Sequence, residues 1–540
     1  LIGRWLNWAA GFCCLIGWAV AAIAQPELAE TEELLAISQA PEPVLAAPAG
    51  IPGMEAVRQA WNAPARSLEQ RVSRTRRTAL EIGIWNLDAA ARSLLGPPDS
   101  RPSVDQARAA ITLAPDLPMA RMALARALWL QESSPVAAIR AAWGALEAIP
   151  RHLEASVWFA GIGSYVLALA LTCGGLLCLA ISAAVVSPHA AHDLGDVVSN
   201  EMPGFARVAM LAAVILIPFA LGLGFVGAGL GLIALASLYG SSRQLWVLLM
   251  ASGAIVAGLF PVAQLSGAAL TAFSHDEVVD AAYSSTDGFV TPVDRLRLEQ
   301  NEASDTLAVQ ALAVTERRDG NLAAADGHYQ RILSEESGDQ SVLNNAANVR
   351  LSLGHMELAL DLYRRASEAR ESARVLFNLS QAYGAAFAVD DLTRTLAEAQ
   401  RVDEHVVAEL TRLQGSDEKG FTIDLPINRR ILWERAYHGS AAGVMAREFR
   451  AGFAPGVLGT HWWHLAAAFA VVAIGARLAS MRLRASHLCA RCGRRLCPRC
   501  DPEFGGNETC EGCTRLFHQP ETTDRSSRAG GTDGCSPRRF

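Results

Sequence analysis

Cysteine is absent from both long polar stretches of this 540-residue chain, Gln25 to Ser156 and Ser274 to Pro455. That gives no sign of a disulfide framework there and leaves both stretches compatible with either side of a membrane. Acidic side chains are missing from four apolar regions, 157–186, 208–240, 245–273 and 456–476, which removes the usual carriers of an intramembrane proton or ion pathway. No HExxH pair, Walker loop, nucleophile elbow, Rossmann glycine fingerprint or kinase signature occurs, so catalysis loses ground and the expectation is a chain that is not an enzyme. A formal charge of -7 disfavours nucleic acid as a whole-protein partner.

What is present is lipid-soluble. Hydrophobic residues make up 51% of the chain and the mean hydropathy is +0.20, high for a wholly soluble protein of this size. Residues 1–24 combine Arg4, a short apolar run and the small-x-small exit Ala22-Ile23-Ala24, the pattern of a signal peptide or an uncleaved anchor. Either one exports the adjoining segments, a Pro-rich linker at 25–56 and then an Ala/Leu-rich helical region at 57–156. A bilayer core of about 30 Å takes about 20 helical residues, so 157–186, 245–273 and 456–476 each suit one crossing. Region 208–240 is too long for one, and Pro218 with Gly222, Gly224, Gly227, Gly229 and Gly231 suits either two short helices or a broken re-entrant hairpin, both of which return the chain to its starting side. That parity puts 274–455 outside and the tail, with seven Arg and no acid between Arg477 and Cys500, inside, as the positive-inside rule asks. A single tilted crossing would instead put the Arg-rich tail outside, which the charge rule disfavours. Trp462 and Trp463 would lie at the outer interface, with Arg477, Arg482 and Arg484 at the inner one.

A 34-residue period runs through 305–403. Gly320 and Gly354, Ala325 and Ala359, Tyr329 and Tyr363, and Ile332 and Ala366 keep that step, as do Val309, Leu343 and Phe377. These positions resemble tetratricopeptide repeats: a small residue for close helix packing, Gly for the turn, Tyr plugging the gap to the next hairpin. The third unit departs, with Asp390 where Leu322 and Met356 stand and Val389 one place early, so its second helix is expected to be shifted or to serve as a cap. Residues 57–156 carry a fainter version. Repeat hairpins stack into a solenoid whose hollow face takes peptides, and Gln310, Asn344 and Asn378, at 34-residue steps, form a candidate column of amides for an extended backbone. Residues 404–455 read as a helical or irregular connector.

Three Cys-x-x-Cys pairs lie within 25 residues: Cys489/Cys492, Cys497/Cys500 and Cys510/Cys513. Two sulfurs on a tight turn reach one zinc ion and a second pair closes the tetrahedron, giving a finger at 487–518 before a tail at 519–540. Cys-x-x-Cys-Gly-x-x-x-Cys-x-x-Cys with a later pair resembles the later part of FYVE-type and related treble-clef fingers. The resemblance implies that Cys489, Cys492, Cys510 and Cys513 share one Zn2+, while the middle pair would join an upstream pair that this chain lacks. Cys497 and Cys500 would then need His487, His518 or another chain to complete a second site, or remain free. Phosphoinositide binding does not carry over, because the basic signature motif of FYVE fingers is missing. His189 and His192, with Asp193, are expected to be interfacial polarity rather than metal ligands.

The expected architecture is mostly α: tetratricopeptide-type solenoid segments, a multi-pass α-helical membrane domain and a small zinc finger. The layout resembles bacterial envelope repeat proteins with a terminal treble-clef-like finger. It implies an inner-membrane scaffold, with envelope proteins or peptides in an exported repeat groove, a cytosolic protein on the finger and lipid around the spans. The rival reading is a transmembrane sensor in which groove occupancy reaches the finger; last comes an enzyme that uses His189 and His192.

Overall fold

A computed structural model describes residues 52–518 apart from 98–99, 199–202, 274–275, 288–289, 336–338, 415–419, 484, 490, 493–494, 499–506 and 508. The expected signal or anchor at 1–24, nearly all of the linker, the tail at 519–540, Arg484 and Cys500 lie outside the described residues. Mostly-α is what the chain is. The exception among the described residues is a two-residue antiparallel ladder, β1 (His487–Leu488) on β2 (Arg495–Leu496), with His487 opposite Leu496.

Among the described residues six short helices come first: α1 (Pro52–Asn62), α2 (Leu68–Glu81), α3 (Asp88–Leu95), α4 (Val104–Leu113), α5 (Pro118–Leu130) and α6 (Pro135–Ala148). Local chemistry sets their starts. Ser67 accepts the Gln70 N–H, Ser103 and Gln106 form a reciprocal capping box, and Pro118 and Pro135 occupy the first turn, where no N–H is needed. Val72, Ala79, Leu87, Ala91, Ala110 and Leu113 close a core between the first four.

Helix α7 (Leu153–Val198) has 46 residues, about 69 Å at 1.5 Å per residue, and so outruns a bilayer. It does not stop at Val186. Pro188 cannot donate to the carbonyl one turn back, but the Ser187 hydroxyl donates to that same Ala184 oxygen at 2.9 Å, and the helix continues. Next, α8 (Gly204–Pro218) and α9 (Gly224–Tyr239) fold back on each other around a π turn, Phe219–Leu223. Gly222 and Gly224 take φ of 80° and 64°, and a Cβ on Gly231 would lie only 3.3 Å from the Ile215 Cα, so the two backbones touch. Each arm, at 15 and 16 residues, is about 23 Å long, too short to cross alone.

The chain then forms α10 (Ser242–Ala257), a π turn holding Pro261, and α11 (Ala263–Thr271). Helices α12 (Glu277–Asp287) and α13 (Pro292–Asn301) lead into three antiparallel pairs: α14 (Thr306–Arg318) with α15 (Leu322–Glu335), α16 (Gln340–Ser352) with α17 (Met356–Ala369), and α18 (Ala373–Ala385) with α19 (Val389–Val402). After α20 (Glu404–Gln414) an extended segment, 420–428, precedes α21 (Arg429–His438) and α22 (Ser440–Phe453). Helix α23 (Trp462–Leu483) follows a 3-10 turn at Gly456–Gly459, so it starts later than the expected 456 and ends beyond 476. Helix α24 (Glu511–His518) closes the finger.

Among the described residues four helical runs are long and apolar enough, by length and composition, to cross a membrane: Leu153–Leu194, Gly204–Tyr239, Arg243–Thr271 and Trp462–Leu483. The second is the folded-back pair. Their outward faces are apolar, with Val166, Ile181, Val214, Met250, Val471 and Ile474 exposed, a surface consistent with lipid rather than water as its solvent.

The third helical pair shows what the one-residue shift does. Gly320 and Gly354 end α14 and α16 at φ of 84° and 81°, and the next residue's N–H reaches back to Glu316 and Arg350, the Schellman pattern. In α18 the equivalent residue is Phe387, at φ 57° and 90% exposed. A left-handed non-glycine residue costs about 1–2 kcal/mol, partly offset by the greater chain entropy that Gly loses. Phe387→Gly should therefore raise unfolding stability by about 1 kcal/mol, read as a higher denaturant midpoint with an unchanged slope.

Candidate functional site

The hollow face of the three helical pairs is filled by the chain itself. Phe421-Thr422-Ile423-Asp424-Leu425-Pro426-Ile427 alternates apolar and other residues with the period of a strand, and Phe421, Ile423 and Ile427 are buried. Its main chain is gripped by side-chain amides. The Asn378 Oδ1 accepts the Ile423 N–H at 2.9 Å and its Nδ2 donates to the Ile423 carbonyl at 2.8 Å. Asn345 makes the same two-way pair with Leu425, at 2.8 and 2.9 Å. Asn344 and Asn348 add Nδ2 bonds to the Ile423 carbonyl at 3.0 and 3.1 Å. The opposite edge is used too: the Asp424 N–H donates to the Gly83 carbonyl at 3.0 Å.

Asp424 carries the charge balance. Its carboxylate takes Arg317 Nη1 at 2.6 Å and Asn348 Nδ2 at 3.0 Å, and lies 3.5 Å from Arg318 Nε. All three charged side chains are less than 10% exposed, so removing the acid would strand two buried cations. Arg317 also donates to Thr422 Oγ1 at 2.9 Å.

Of the column expected from sequence, Asn344 and Asn378 meet: Asn378 Nδ2 donates to Asn344 Oδ1 at 2.9 Å, and both hold Ile423. Gln310 is buried but donates to Ser341 Oγ at 2.9 Å, which ties α14 to α16. Asn345, Asn348, Arg317 and Asp424 were missed. The signal for them was the Asn-rich face of α16 and the strand-period run at 421–427 in an otherwise helical region.

Residues 421–427 form a strap between the three helical pairs and the N-terminal helices. Phe421 and Ile423 share a core with Leu80, Trp85, Phe377, Val406 and Leu410. Beside it Trp85 Nε1 donates to Asp116 at 2.6 Å, and Asp116 also pairs with Arg374, whose guanidinium stacks on the Trp85 ring. Burial alone would raise the Asp116 carboxyl, but Arg374, Trp85 and Arg151 outweigh it and hold it below the usual carboxylate range.

At the other end of α7 is the cysteine finger. Cys489, Cys492, Cys510 and Cys513 place their sulfurs within 4.8 Å of one another; Cys492 Sγ is 3.5 Å from Cys510 Sγ, and none is in a disulfide. Zinc–sulfur bonds of about 2.3 Å require tetrahedral sulfurs about 3.8 Å apart, so the set could hold a metal ion such as zinc. Burial pushes the Cys489 thiol up, yet N–H groups of Cys492, Cys510 and Arg491 prevail and bring it to about 6, favouring the thiolate that a metal needs. Burial leaves Cys510 above its ordinary value.

Cys497 lies apart from these four. His192, Asp193 and Cys497 bring their ligand atoms within 4.8 Å of one another. His487, expected as a possible partner for Cys497, instead has its Nε2 2.8 Å from the Asn507 carbonyl oxygen. Between α10, α11 and α23 an apolar cavity of about 760 Å³, lined by Leu249, Val256, Phe260, Trp462 and Phe469, has Arg450 at its edge.

No protein-family model matches this chain, and no curated protein matches it.

Asn378→Ala would leave the Ile423 N–H buried and unpaired, at a cost of about 2–3 kcal/mol. Hydrogen exchange at that amide should quicken roughly 50-fold, if opening is local. Metal analysis checks the finger: Cys510→Ser should remove one metal ion per chain.

Proposed function

We propose that this chain is a membrane-anchored scaffold of the tetratricopeptide type in a bacterial inner membrane, without enzymatic activity. Its repeats face the envelope and its zinc finger docks a cytosolic protein. The observation that carries this reading is the grip on residues 421–427: a face of helical hairpins holds an extended segment through amides that contact its main chain. Those amides suit a partner peptide that replaces the strap. Asn345 and Asn378 read only the backbone, while Arg317 and Arg318 select an acid between two apolar residues, as in Ile423-Asp424-Leu425.

The folded-back α8 and α9 support the parity that gives the two ends different compartments. With that pair returning to its starting side, α7, the α10–α11 run and α23 make three crossings, which put residues 274–455 with the N-terminal helices and the finger opposite them. Trp158, Trp462 and Trp463, near the starts of α7 and α23, and Trp246, near the start of α10, are exposed, which suits belt aromatics. Arg477, next to the finger, donates to the Gly240 carbonyl at 2.8 Å.

The sensor reading has its own support in the two ends of α7. At its start His152 Nε2 is 2.7 Å from Asp88, and Glu154 pairs with Arg92 and accepts the Tyr283 hydroxyl at 3.0 Å. At its far end Asp193 accepts the Ser486 N–H at 3.0 Å. A shift of the strap would thus have a continuous helix along which to act.

Compartment reporters fused after residues 200, 300 and 485 test the layout. Position 300 should report the envelope, and 200 and 485 the cytosol; a shared signal at 300 and 485 would defeat the bridging role. In-cell cross-links from the repeats to envelope proteins should weaken in an Asn344→Ala/Asn378→Ala chain, and a sensor would in addition show a ligand-dependent change at the finger.

A further inference from the structure

The middle cysteine pair has no upstream partner in the sequence, and the structure supplies one from an unexpected quarter. The last turns of α7 present His192 and Asp193 to Cys497, and one imidazole nitrogen, one carboxylate oxygen and the thiol sulfur converge within 4.8 Å. Cys497 and Asp193 are buried, and the His192 side chain is partly so. The three come from segments some 300 residues apart, so the tertiary fold and not local sequence brings them together.

The geometry points to a second divalent metal site, built by His192, Asp193 and Cys497, that clasps the finger to the end of helix α7. One imidazole, one carboxylate and one thiolate are a mixed N, O, S set of the kind that zinc accepts. Thiolate and carboxylate together cancel the charge of a Zn2+ ion, which suits a buried position. Asp193 is already oriented as a ligand, because Ser486 donates both its N–H, at 3.0 Å to Oδ2, and its hydroxyl to the carboxylate. Such hydrogen bonds to a ligating carboxylate fix its direction and tune its affinity. His192 and Asp193 are neighbours on α7 and Cys497 comes from the finger; water would complete the coordination.

This site does not depend on which compartment holds the finger or on any partner. It makes the finger an attached part of the membrane domain instead of a tethered module, with a metal count of two per chain: one in the four-cysteine centre and one in the clasp.

Full-length protein purified in detergent, saturated with zinc and freed of excess, should carry two ions per chain by elemental analysis. His192→Ala/Asp193→Asn should carry one, and so should Cys497→Ser. The helix variant leaves the finger sequence untouched, so its folding is read separately: substitution with Co2+ should keep the strong thiolate-to-cobalt absorption of the four-cysteine centre and lose only the weaker one-thiolate contribution. X-ray absorption at the zinc edge should show N/O scatterers near about 2.0 Å beside sulfur near about 2.3 Å, and the N/O component should vanish in the helix variant. One ion per chain in the unaltered protein, or two retained in His192→Ala/Asp193→Asn, would overturn the proposal. Loss from the four-cysteine centre alone, tested with Cys510→Ser, leaves the clasp ion in place.

Discussion

Asp424 is where three parts of the chain meet. Its carboxylate neutralises two buried guanidinium groups on α14, its N–H reaches the turn after α2, and its neighbours are held by the asparagines of α16 and α18. Breaking one partner out of a buried charge set costs about 3–5 kcal/mol, a large share of the roughly 5–15 kcal/mol by which domains are stable. The strap thus ties the N-terminal helices to the three helical pairs, alongside the direct Arg374–Asp116 pair and the Arg374 guanidinium on the Trp85 ring. Tyr363 completes the arrangement by donating to Asn348 Oδ1 at 2.5 Å, which links the residue that plugs successive hairpins to the residues that grip the strap.

Helix α7 gives that body an axis. Its first turns are locked by Asp88, Arg92 and Tyr283 and its last turns by Ser486. Pro188 would ordinarily be where such a helix ends or kinks. The Ser187 hydroxyl fills the gap in the hydrogen-bond ladder, and the segment that carries His192 and Asp193 stays helical as a result.

Much of this was written in the sequence, wherever the physics is local or periodic. The 34-residue step fixed Ala325, Tyr329, Ala359 and Tyr363 as packing positions, and all four are fully buried. The early Val389 marked a shifted second helix, and α19 does begin there, after a turn with Phe387 where its predecessors have glycine. Pro218 and the glycines after it foretold the fold-back. What stayed hidden depends on distant pairing. Residues 421–427 alternate like a strand, but a single strand with no sheet to join carries no indication of where it lies, and an exposed amide column with a visiting peptide was the natural reading. His192 and Asp193 suffered the same way: two polar residues near a helix end are ordinary, and only the return of the chain some 300 residues later gives them a third ligand.

The filled groove also sets terms for any visitor. A peptide that replaces the strap must offer main-chain groups to Asn345 and Asn378 in the same register, because these amides bond both the N–H and the carbonyl of one residue. It must also bring an anion to Arg317 and Arg318, since leaving both cations buried and unpaired would cost more than several neutral hydrogen bonds of about 1 kcal/mol each could return. A strap covalently joined to α20 and α21 has a high effective concentration, so an external segment competes from a disadvantage unless it adds contacts of its own. A generic extended peptide would therefore compete poorly, and a successful one would need a carboxylate flanked by apolar residues to meet Arg317 and Arg318.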